Sequence, residues 1–148
     1  MRIEVQNGVG LGKRAVRELK RACRRALREE DARRNSILSV ALLGEEDMAE
    51  LNRRSTGREG ATDVLAFPMD EECGEGYILG DLAICPAAAY ASRRDYGVEE
   101  GGELAYVAVH GVLHLLGYED EDEKGSALME RRQREILRLS GEERCTRG

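Results

Sequence analysis

Residues 103–116 read ELAYVAVHGVLHLL, apolar on nearly every side, which fits a helix buried at the centre of a domain. The chain's two histidines, His110 and His114, both stand on it, four residues apart. Four residues of helix turn through about 400°, so the two imidazoles stack on one face, one turn apart. That spacing lets one helix offer two ligands to a tetrahedral zinc. The bland alternative is a pair of core histidines, each satisfied by one hydrogen bond. Beyond them come Gly117 and Asp120. A glycine there lets the chain leave the helix in a left-handed conformation and swing back, bringing the side chain at 120 within reach of an ion. Three protein ligands with a fourth position left for water describe a catalytic rather than a structural zinc. Glu119, Glu121 and Asp122 compete for that third place, and a solvated acidic loop is the competing reading. Helical zinc proteases carry a glutamate directly after the first histidine. Here that position is Gly111, which argues against peptide hydrolysis.

Outward from this helix, residues 2–6 alternate like an edge strand. From 12 to about 30, Ala15, Val16, Leu19, Ala22, Cys23, Ala26 and Leu27 follow helical spacing, which leaves the arginines on the opposite face. Residues 36–43 read as a strand, and 45–54 as a helix opened by acids that suit its N-terminal dipole. A loop over 55–63 leads to a short strand, 64–67, which Pro68 is expected to stop before the acidic stretch 69–76 turns the chain back. Residues 77–85 form another strand, Pro86 starts a helix to about 96, and 124–139 is a last amphipathic helix. The expected fold is a single α+β domain over 1–148, with about four strands and flanking helices.

Composition narrows the function. The chain has 148 residues, 41% apolar and 35% charged, with no apolar run long enough for a membrane span. Cys23, Cys73, Cys85 and Cys145 form no CxxC pair and read as small apolar fillers in a reducing, cytoplasmic setting. The net charge of −6 hides an asymmetry: residues 1–60 carry +4 and residues 61–148 carry −10. Between 13 and 28, eight cations face a single acid, Glu18. Such a strip can steer a phosphate backbone, although an arginine-rich solvated face is the simpler account. With no Trp and one Phe, stacking platforms for bases are not expected, so any RNA recognition leans on phosphates.

Three motifs in order, Leu51-Asn52 with Thr62-Asp63-Val64-Leu65-Ala66-Phe67-Pro68, then Leu79-Gly80-Asp81-Leu82-Ala83-Ile84-Cys85, then HGVLHLLGYED at 110–120, resemble the YbeY-type endoribonucleases, bacterial proteins of rRNA maturation. The likeness spans roughly 36–138. It implies a mixed four-stranded sheet with the metal-bearing helix packed beside it, zincin-like in outline. It also implies a metal-dependent, single-strand-preferring endoribonuclease of 16S rRNA maturation and ribosome quality control, with the small subunit as partner and no DNA or membrane. The family's third histidine falls on Asp120, so the implied ligand set is His110, His114 and Asp120, holding one zinc. A carboxylate there adds charge and admits other ions such as manganese. The family also has an aromatic and an arginine where this chain has Ser55 and Thr56. Arg53, Arg54 and Arg58 flank the gap as a candidate phosphate clamp.

Lesser candidates carry plainer readings. Asp81 reads as a buried aspartate bonding turn amides, and Asp63 as a loop-to-strand organiser. Tyr106 and Met129 read as core residues, Tyr106 with a possible place behind the metal ligands. Two rival functions share these residues: a hydrolase of some other substrate, and a non-catalytic ribosome-associated factor with a structural metal.

Overall fold

The computed structural model describes residues 1–139. Its elements run β1 (Arg2–Asn7), α1 (Lys13–Glu29), β2 (Ser36–Leu42), α2 (Glu45–Thr56), β3 (Val64–Cys73), β4 (Gly76–Ile84), α3 (Pro86–Ala91), α4 (Arg93–Tyr96), α5 (Glu103–Leu115) and α6 (Glu123–Leu137). The sheet has the order β1-β2-β4-β3. β1 pairs with β2 and β2 with β4 in parallel, while β3 and β4 form an antiparallel hairpin. This is the mixed four-stranded α+β architecture that the motifs implied.

Side-chain alternation along the strands sends residues to two faces. Leu38, Val40 and Leu42 of β2 and Leu82 and Ile84 of β4 join the main core with α1 and α5. Ala83 and Cys85 point the other way, into a smaller cluster around Met48 of α2. Helix α5 is sandwiched between the sheet, α1 and α6, which explains its lack of a polar face. Its one buried acid, Glu103, accepts a bond from the Gly101 amide at 2.8 Å and faces Arg93 at 3.7 Å.

Four expectations are corrected. Pro68 does not stop its strand: β3 continues to Cys73, with one extra residue against β4 between Pro68 and Glu71. β3 is an edge strand. The Cys85 amide donates to the Asp63 carbonyl, so Asp63, Leu65 and Phe67 bond inward and Pro68 falls on an outward position where it needs no N–H. Asp70 takes the extra residue in a left-handed conformation, φ 48°, and accepts a bond from the Tyr77 hydroxyl. The helix from Pro86 is broken at Ser92 into α3 and α4. Asp81 is exposed on the face it shares with Ala83, where α2 does not cover the sheet. Cys23 and Cys85 are buried, and burial pushes the Cys23 thiol up to about 12. Cys73 ends β3 at the hairpin turn and is exposed, and Cys145 lies outside the described residues.

The bulged hairpin lies close under α5. A Cβ added at Gly80 would lie 2.5 Å from the Phe67 carbonyl oxygen and 2.9 Å from Leu115 Cδ2. Gly80→Ala is therefore expected to destabilise the protein by about 1–3 kcal/mol, lowering Tm by roughly 3–10 °C in thermal unfolding.

Candidate metal centre

His110 and His114 project from one face of α5, their rings edge to face at 4.6 Å and their Nε2 atoms 3.1 Å apart. After α5, the Gly117 amide bonds the His114 carbonyl and the Tyr118 amide the Leu113 carbonyl, with Gly117 at φ 105°. This Schellman closure reverses the chain. It carries Asp120 back over the helix, where Oδ2 lies 3.7 Å from His110 Nε2 and 3.5 Å from His114 Nε2. Among the described residues, these three form the group of His, Cys, Asp and Glu side chains able to share an ion, with donor atoms within 4.8 Å of one another. Asp122 is occupied as N-cap of α6, accepting from the Gly125 amide at 2.7 Å. Glu119 and Glu121 line the adjoining cavity without joining the group.

The spacing suits a cation. Bonds of about 2.1 Å to a tetrahedral zinc put neighbouring ligand atoms about 3.4 Å apart, and the three separations bracket that value. The tautomers agree, as inferred from the bonding network. Gln133, 1% exposed on α6, donates its amide Nε2 to the Tyr106 carbonyl at 3.3 Å, which turns Oε1 toward His110 Nδ1 at 3.1 Å. The His114 Nδ1 donates to the Tyr118 carbonyl at 3.0 Å. Both Nε2 atoms therefore present lone pairs to each other, an arrangement that a positive ion between them relieves. Burial, the largest influence, holds the His110 pKa below its ordinary value despite the Gln133 bond, so the ring is neutral and able to ligate at pH 7. Replacing Gln133 by Leu is expected to weaken metal affinity about 10–100-fold, read by competition with a chromogenic chelator, while the protein stays folded.

Two cavities flank the group. One, of about 330 Å³, is walled by His110, Asp63, Tyr96, Tyr106, Glu130 and Gln133 among others; the second, of about 630 Å³, lies between β3 and the 117–121 loop. Among the described residues, no Lys or Arg lines either one. Asp63 organises its loop as expected, since Oδ1 accepts from the Val64 amide at 2.8 Å. It also faces the smaller cavity, where Oδ2 accepts from the Tyr96 hydroxyl at 2.5 Å. Burial first, then this bond, pushes that hydroxyl far above its ordinary range. Tyr106 does more than pack: its ring stacks on Tyr96 at 4.4 Å and its hydroxyl donates to Glu130. Met129 is buried in the core and touches the same cavity.

None of the candidate arginines is among the residues that line the two cavities. Arg53 is exposed and paired with Glu50 at 2.7 Å, and Arg54 and Arg58 are exposed at the end of α2 and in the loop after it. Thr56, at the position where the resemblance expects arginine, lines the larger cavity. Its hydroxyl donates to buried Asn52, whose own amide holds the Gly60 carbonyl at 2.9 Å. Gln133 escaped the sequence reading. Its signal was a polar residue between Met129 and Ile136 on the apolar stripe of α6.

Comparison with known proteins finds similarity along most of the chain. The family model described as Endoribonuclease YbeY aligns with residues 4–141. Endoribonuclease YbeY of Mycolicibacterium gilvum is 40% identical over 151 residues, spanning 93% of this chain and 82% of that protein. The protein of the same name from Salinispora tropica is 42% identical over 116 residues, spanning 68% of this chain and 74% of its own. The solution structure of TM1509 from Thermotoga maritima is similar with a TM-score of 0.61 at 29% identity, covering 91% of this chain and 86% of that one.

Proposed function

The chain belongs to the YbeY endoribonuclease family, and from that premise we propose that it is a metal-dependent endoribonuclease that prefers single strands. Its task is 16S rRNA maturation and ribosome quality control in the cytoplasm, with the small ribosomal subunit as partner. The observation that carries this reading is the group His110, His114 and Asp120, spaced for one divalent ion. Zinc fits two imidazoles, and the Asp120 carboxylate admits manganese as well.

A bound ion would supply Lewis-acid neutralisation of phosphate charge and acidification of water. The chain's own residues prepare the site. Gln133 and the Tyr118 carbonyl hold the Nδ1 protons of His110 and His114, which fixes both rings with Nε2 inward. Gly111 offers no carboxylate base, and a Cβ there would press on Leu82 Cδ2 at 2.8 Å. That packing supports a reaction other than protease-type peptide hydrolysis. Arg53, Arg54 and Arg58, around the cavity-lining Thr56, are the proposed clamp on neighbouring phosphates.

A second reading, hydrolysis of a substrate other than RNA at the same centre, draws on one observation: among the described residues, no Lys or Arg lines either cavity. Labelled single-stranded RNA and its duplex, offered to chelator-stripped protein with zinc or manganese restored, separate the two. The expected result is metal-restored cutting of the single strand with the duplex spared. Folded protein that cuts no RNA in either metal would refute the nuclease reading.

A further inference from the structure

The cavities beside the metal centre are lined by carboxylates, among them Asp63, Asp120 and Glu130 in one and Glu119, Asp120 and Glu121 in the other, and among the described residues by no Lys or Arg. A polyanion cannot owe its binding to such walls, so a chain that acts on RNA needs cations elsewhere. Beyond the clamp proposed at 53–58, helix α1 supplies them. Its apolar face, Leu19, Ala22, Cys23, Ala26 and Leu27, is buried against the core. Arg17, Lys20, Arg21, Arg24 and Arg28 recur at steps of three and four residues on the opposite face, around an open hollow of about 560 Å³. The acids at the border are taken: Glu18 pairs with Arg14 at 3.3 Å and Glu29 with Arg25 at 4.0 Å. Those five cations make no ion pair among the described residues.

Helix stability does not explain this. Like charges at i, i+4 repel along a helix. The first turn of α1 holds Lys13 and Arg14 with no acid, against the helix dipole, whereas α2 opens with Glu45, Glu46 and Asp47. The strip also leads toward the centre. Glu30, directly after α1, accepts from the Tyr118 hydroxyl at 2.8 Å, and the Tyr118 carbonyl in turn orients His114.

We infer that the cationic face of α1 is a docking surface for the phosphate backbone of single-stranded RNA, holding the part of the strand that lies outside the metal centre. The inference rests on the nuclease reading and extends it: α1 holds the outlying strand, beyond the phosphates assigned to the 53–58 clamp, and cutting lies at the end of α5.

The test is the triple variant Arg17→Gln, Arg21→Gln, Arg24→Gln, whose changes are on the solvent side and conserve helix propensity. Affinity for a long labelled single-stranded RNA is measured in EDTA over a range of salt. Metal-loaded cleavage of a short oligonucleotide that fills only the cavities is measured alongside, as is binding to phosphatidylserine vesicles. The expected result is at least about a tenfold loss of affinity for the long RNA at low salt, with a salt slope shallower by about 2. Short-oligonucleotide cleavage should stay unchanged. Equal affinity and slope in variant and wild type, with the short RNA still cut, would overturn the docking surface while leaving the nuclease intact. So would vesicle binding lost in the variant while RNA binding persists. A wild type that neither binds nor cuts RNA would remove the nuclease reading and this inference together.

Discussion

His114→Ala is expected to reduce cleavage of single-stranded RNA to the level of the chelated wild type, with no rescue by zinc or manganese. Three donors meet within 4.8 Å, and His114 Nε2 is the one closest to both others, at 3.1 Å and 3.5 Å. Removing it leaves one imidazole and one carboxylate, too few to hold an ion while a substrate competes for it. The loss of affinity should exceed the roughly 10–100-fold typical of removing a partner behind a ligand. Stability should suffer little. The ring is only half-buried, and its other bond, to the Tyr118 carbonyl, is worth about 1 kcal/mol. Cleavage assays beside thermal unfolding in chelator separate a lost centre from a lost fold. Wild-type cutting by the variant would place the chemistry elsewhere or expose a contaminating nuclease.

The second large effect falls on Asp120. Asp120→Ala removes the only donor not fixed by α5 and should weaken metal binding at least about a hundredfold, beyond the range of losses behind a ligand. Asp120→His should restore binding with a changed preference. Imidazole suits zinc, whereas carboxylate oxygen suits manganese, so the histidine variant should keep zinc-supported cleavage and lose most of its manganese-supported cleavage. Parallel titrations of the two variants with both ions provide the measurement. Equal manganese activation of Asp120→His and wild type would mean that residue 120 does not set ion choice. Asp120 has the position for the role: it sits between the Schellman turn at Gly117 and the Asp122 cap of α6, anchored on both sides.

Much of this centre was legible because helical geometry is short-ranged. Two histidines four apart on an apolar run, a glycine just past them and a carboxylate three further on leave few ways to fold. The basic face of α1 followed from the same periodicity. What escaped depends on partners distant in sequence. Pro68 reads locally as a strand end, and only the edge position of β3 makes it harmless. Asp81 reads as buried because its neighbours are apolar, yet α2 stops short of covering it. Gln133 meets His110 across 23 positions, and nothing in the spacing of α6 alone announces a histidine opposite. Thr56 lines the larger cavity between the candidate arginines at 53–58, a placement that sequence spacing alone does not give.

Calorimetric titration of chelator-stripped protein with zinc at pH 7, run beside the double variant His110→Ala, His114→Ala, asks most directly whether the chain holds an ion where its histidines converge. One saturable site per chain in the wild type, and none in the double variant, is the predicted result. A wild type that takes up no zinc, or a double variant that binds it as tightly, would contradict the assignment of the centre to His110, His114 and Asp120.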